Sequence, residues 1–164
     1  MASNCGIPGI VAMLIPLLLS ACGSTPTSPS QQDPLRLDAR ITQTRLSPDD
    51  TATVTFTLRN AGSQTITLRF SSTCQILPYV TDRRTQQIVH PGGGGWVCAT
   101  MVTGLTLAPG ESSTKQVQVR AANGATYPFV ALPPGEYETY AEIDAYRDNS
   151  RFSLRSASLQ FVSQ

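Results

Sequence analysis

The chain has 164 residues, with 12 basic and 11 acidic side chains, one histidine and a net charge of +1. That length holds one domain with its own core, and the balanced charge excludes a nucleic-acid surface or a polybasic membrane patch. Gly and Pro, 12 of each, together with frequent Thr, favour short strands and tight turns over helices.

The first element is apolar. Ile10, Val11, Met13, Leu14, Ile15, Leu17 and Leu18 lie between Ile7 and Leu19. The run is about a dozen residues long, shorter than the roughly 20 of a membrane-spanning helix and suited to a signal-peptide h-region. Pro8 and Pro16 also disfavour a spanning helix. The preceding MASNCG carries no Lys or Arg. The run ends in Leu19-Ser20-Ala21-Cys22, which resembles the lipobox of bacterial lipoproteins. In that family the cysteine is diacylated and the peptide bond before it is cut. The resemblance therefore implies that residues 1–21 are a signal peptide and that Cys22 anchors the protein to a membrane. Two or more acyl chains hold firmly, at about 0.8 kcal/mol per buried CH₂. Gly23, where an Asp retains such proteins at the inner membrane, implies the outer membrane and its periplasmic face. GSTPTSPSQQDP comes next; with no large apolar side chain to bury, residues 22–34 read as a disordered tether.

From residue 35 to 164 the hydrophobic pattern has period two. LRLDARI puts Leu35, Leu37, Ala39 and Ile41 on one face, and TVTFTLRN alternates Val54, Phe56 and Leu58 with threonines. TITLRF, ILPYVTD, MVTGLTL, KQVQVR, EYETYAEIDA and ASLQFV continue the pattern. The turn signals SPDD, NAGSQ, APGES and PPGEY separate several of these runs. Such alternation describes half-buried antiparallel strands. The expected fold is all-β, an immunoglobulin-like antiparallel β-sandwich of about seven to nine strands. Tyr137 is expected in its core, packed with a satisfied hydroxyl.

Outside the leader and the lipidation site, Cys74 and Cys98 remain. An even pair in an oxidising compartment reads as a disulfide. It would close a loop of about 25 residues and stabilise the fold by about 3–4 kcal/mol. The competing reading takes Cys74, His90, Cys98 and Met101 as soft metal ligands, but their spacing forms no tight ligand loop. Between the cysteines lies VHPGGGGWVC. Four consecutive glycines lose much backbone entropy on ordering. One reading makes His90, Gly92, Gly93, Gly94, Gly95 and Trp96 a recognition loop with Trp96, the single tryptophan, as an interface anchor. The other packs Trp96 into the sandwich.

The domain's pattern resembles a known family. TVTFTLRNAGSQTITLRFSS, YVTD, LTLAPGES and LPPGEYETYAEI are similar to the intracellular proteinase inhibitor (BsuPI-like) domains. The matching motifs are Asn60-Ala61-Gly62 and Pro134-Gly135-Glu136-Tyr137. The resemblance implies an immunoglobulin-like sandwich and, as an activity, inhibition of a serine protease. The disulfide pair and the glycine run depart from the pattern, and so does export. No inhibitory residue is carried over.

No constellation for catalysis stands out. His90 is the sole candidate base and no G-x-S-x-G is present. Glu138, Glu142 and Asp144 share one strand face. Glu138 and Glu142 lie about 13 Å apart, beyond either glycosidase geometry. Glu142 and Asp144, about 7 Å apart, fall within the inverting range, but on a flat, solvated face. Asp49-Asp50 lies in no calcium-loop motif. The expectation is therefore a non-enzymatic, lipid-anchored envelope protein without a cofactor, binding a protein partner through the loop or a free sheet edge. The alternative is a protease inhibitor, with a protease as the partner. A metal or redox carrier is the third reading.

Overall fold

A computed structural model describes residues 33–93, 95–123 and 128–164. The expected signal peptide, the lipidation site Cys22, all but the last two tether residues, and Gly94 lie outside the described residues.

Among the described residues twelve strands form: β1 (Leu35–Ile41), β2 (Arg45–Leu46), β3 (Thr51–Asn60), β4 (Ile66–Phe70), β5 (Leu77–Asp82), β6 (Ile88–His90), β7 (Thr103–Leu107), β8 (Ser112–Ala121), β9 (Val130–Leu132), β10 (Gly135–Arg147), β11 (Ser150–Arg155) and β12 (Leu159–Ser163). No helix occurs among the described residues. One sheet has the order β1-β3-β8-β9. The other runs β2-β12-β10-β4-β7, with β11 and β5 also paired to β10, and β6 to β5.

The expected alternation places the core. Ala52, Val54, Phe56 and Leu58 of β3 point inward, as do Ile66, Leu68 and Phe70 of β4. On β10, Tyr137, Ala141, Ile143 and Ala145 face the same interior. Residues from both sheets form one cluster, which is the buried centre of a two-layer sandwich.

Two details differ from the expectation. Twelve strands among the described residues replace seven to nine: β2, β6 and β9 are only two or three residues long, and the 13-residue β10 is too long for one neighbour and takes on β11 as well. On one side it pairs with β12 through Gly135–Thr139 and with β11 through Glu142–Arg147. On the other it meets β5 and, at Tyr146, β4. The pairing is also mixed, since β2 lies parallel to β12 and β9 parallel to β8. These strands are two and three residues long, too short to show a period.

Candidate protein-docking surface

The turn motifs act within the fold. Asn60 ends β3 and is fully buried. Its Nδ2 donates to the Gln64 carbonyl at 2.7 Å and the Leu107 carbonyl at 2.9 Å, while its Oδ1 accepts from the Gly62 N–H at 3.0 Å. A Cβ on Gly62 would come within 2.7 Å of Pro34 Cβ, so the turn admits no side chain there. The Tyr137 hydroxyl donates to the Pro133 carbonyl at 2.8 Å, and its ring stacks on Phe161 and lies over Gly135. The core role expected for Tyr137 is the one it has.

The connection between β6 and β7 is built differently. It leaves the sheet at His90, whose peptide bond to Pro91 is cis. Gly93 and Gly95 have φ of +62° and +100°, a backbone region that glycine enters without steric cost. Their missing side chains would meet nothing within 4 Å. Beyond them Cys98 is disulfide-bonded to Cys74, with the Cα atoms 5.6 Å apart. Ala99 N–H donates to Thr73 Oγ1 and Thr73 N–H to the Ala99 carbonyl, each at 3.1 Å. Thr103 Oγ1 donates to the Ser72 carbonyl at 2.7 Å. The segment is thus tied at several points to the β4–β5 connection.

Trp96 packs against rings on the outer face of the sheet. Tyr79 and Tyr140 are register partners on β5 and β10, with stacked rings 5.2 Å apart. Trp96 meets Tyr79 edge to face at 6.5 Å, and His90 meets Trp96 the same way at 5.0 Å. The Arg155 guanidinium lies 3.6 Å over the Tyr140 ring. The reading in which Trp96 enters the sandwich is therefore corrected. The interior is already filled by alternating side chains of the two sheets, and the half-buried indole lies outside that cluster, where it also lines a depression with Ile76, Leu77 and Lys115. Burial pushes the His90 imidazole below its ordinary value, leaving it neutral at pH 7. His90 Nε2 and Trp96 Nε1 are both buried without a hydrogen-bond partner among the described residues.

The structure brings Cys74 and Cys98 together, and His90 beside Trp96, while Gly92, Gly93 and Gly95 form an exposed tip. Because the two sulfurs are bonded to each other, the metal set of Cys74, His90, Cys98 and Met101 has lost both thiolates. Two of the strand-face carboxylates are engaged too. Asp144 pairs with Arg151 at 2.7 Å and Glu142 with Arg155 at 3.8 Å. Sequence reasoning ended the loop at Trp96 and missed the apolar residues C-terminal to it. Val97 is 99% exposed, Val102 65% and Met101 57%. Large apolar side chains displayed by a cross-linked segment suit contact with another protein far better than bond-making chemistry.

Comparison with known proteins adds a family and little else. A family model described as BsuPI, intracellular proteinase inhibitor, matches residues 39–147, about two thirds of the chain. Solved structures align at low similarity. A β-glucosidase from Erythrobacter marinus shows 12% identity and a TM-score of 0.39, over 75% of this chain and 15% of that one. The sporulation control protein Spo0M from Bacillus subtilis shows 10% identity and 0.39, over 78% and 48%. PapD-like domain 7 of human CEP192 shows 14% identity and 0.38, over 96% and 98%. The chain thus spans a small fraction of the glucosidase and under half of Spo0M. No curated protein matches it.

Proposed function

The chain belongs to the BsuPI family of intracellular proteinase inhibitors, and we propose that it is a non-enzymatic protein that binds and blocks a protease. The family match over residues 39–147 carries this reading. The β6–β7 connection supports it as the docking segment. Inhibition by occupation needs a chain that a protease can grip but that loses little freedom on binding, since ordering a loop costs affinity. A disulfide, paired backbone hydrogen bonds and a packed indole meet that need. Titration of the oxidised protein against a panel of serine proteases, followed with chromogenic peptides, is expected to reduce the activity of at least one enzyme in proportion to added protein. Absence of inhibition at micromolar concentration overturns the proposal.

The place of action is read from Leu19-Ser20-Ala21-Cys22 and from the disulfide. The first supports a lipid-anchored protein of the cell envelope, held by Cys22 at the periplasmic face of the outer membrane with residues 22–34 as its tether; the second supports an oxidising compartment. Metabolic labelling with a fatty acid is expected to mark the wild type and to leave Cys22→Ala unmarked. Equal labelling of both, or none of either, removes the anchor without touching the inhibitor reading.

A further inference from the structure

We infer that Val97 is the side chain that enters the primary specificity pocket of the target, and that the target is an endopeptidase with a shallow apolar pocket. This rests on the inhibitor reading and assigns its contact residue. Val97 is 99% exposed, so its side chain makes no packing contribution to the fold. A wholly exposed β-branched side chain is common on surfaces; the flanks of this one set it apart. On its N-terminal side the Trp96 ring is packed against Tyr79 and His90. On its C-terminal side Cys98 is bonded to Cys74, and Ala99 exchanges two hydrogen bonds with Thr73. The backbone that presents Val97 is therefore held on both sides, and the cost of ordering it is met before the partner arrives.

The surroundings fit insertion into a cleft. Gly92, Gly93 and Gly95 are exposed and carry no side chain, and on its other flank Val97 borders a depression with Ser113, Thr114 and Lys115 of β8. From Trp96 to Val102 the chain has no charged residue. A pocket with an acidic base, as in trypsin-type enzymes, would leave its charge unpaired against Val97, whereas a small apolar pocket of elastase type is filled by it. Met101 and Val102 are less exposed and lie beyond the disulfide. The Met101 N–H is turned back to the Ala99 carbonyl at 2.9 Å, and Val102 borders a depression with Phe70 and Tyr146 on the neighbouring strands.

The test uses the full, oxidised chain against elastase-type, subtilisin-type and trypsin-type serine proteases. Wild type is expected to inhibit the elastase-type enzyme most strongly. Val97→Lys is expected to weaken that inhibition by about 30-fold or more, as loss of a central anchor does, and to shift inhibition toward the trypsin-type enzyme. Val97→Ala is expected to weaken it less, and Met101→Lys to leave it within about threefold. Circular dichroism and the mass of the Cys74–Cys98 peptide verify that each variant is folded and bridged. If wild type inhibits a protease while both Val97 variants do so within twofold of it, Val97 is not the contact and the inhibitor reading survives alone. Val97 is likewise excluded if Met101→Lys moves the inhibition constant and the Val97 variants do not. If wild type inhibits none of the three, both readings fall.

Discussion

Asn60 satisfies three backbone groups with one buried amide. Its side chain closes the β3–β4 turn at Gln64 and Gly62, then crosses to the Leu107 carbonyl at the end of β7. Its own backbone N–H donates to the Glu111 carbonyl and its carbonyl accepts from Gly110. Two turns and three strand ends meet at this residue. Asn60→Ala removes every side-chain bond and leaves the partners unpaired, at about 1–3 kcal/mol for each fully desolvated group. A loss of about 2–4 kcal/mol is expected in urea unfolding; a change below about 0.5 kcal/mol would show that the hub is dispensable. Asn-Ala-Gly was legible as a turn. That its amide reaches a carbonyl 47 positions away was not, because nothing local to the motif encodes its neighbour.

At the scale of elements, β10 organises its sheet and the disulfide organises the loop. Asp148 and Asn149 link β10 to β11 with φ of +51° and +62°, the two-residue hairpin geometry that matches strand twist. That dipeptide, followed by SRFSLR with Phe152 and Leu154 on one face, was a readable signal for β11 that went unused. The short β2, β6 and β9 offered none. Removing the bridge with Cys74→Ser/Cys98→Ser opens a loop of sequence separation 24 and is expected to lower stability by about 3–4 kcal/mol. Trp96 is the single tryptophan, so its emission reports the loop directly. A red shift in the folded double variant is expected; an unchanged spectrum would mean that ring packing alone holds the segment.

For the whole molecule, the charge pattern makes stability depend on pH in two steps. Burial raises Asp33, but the Arg147 side chain, the Leu35 N–H and the charges of Arg147 and Arg36 outweigh it and hold the carboxyl below its ordinary value. Asp144 is held low by hydrogen bonds from Arg151, and Asp82 by the backbone of Thr85 and Arg84. A carboxylate depressed in the folded state stabilises it above its unfolded value and loses that contribution as pH falls through the folded one. This step therefore lies below about pH 4. His90 is also depressed, by burial against Trp96. The unfolded chain then takes up the proton first, so stability begins to fall as pH drops below about 6.5. Denaturation midpoints measured from pH 8 to 3 are expected to show both steps, and His90→Phe to abolish the upper one alone. A profile flat between pH 7 and 5 in the wild type would contradict a buried neutral imidazole.

Alternation of apolar and polar residues is a local property, and it was sufficient by itself to determine an all-β domain, the inward face of each long strand and the core place of Tyr137. Cysteine count also paired Cys74 with Cys98, since no other cysteine lies in the domain. Only the tertiary structure decided which strands neighbour one another, that Trp96 packs against Tyr79 and His90 outside the core, and that Val97 stands in solvent between two anchors. Those facts depend on contacts between segments far apart in the chain. A sequence read by period and turn carries no record of such contacts until burial makes one arrangement the most stable.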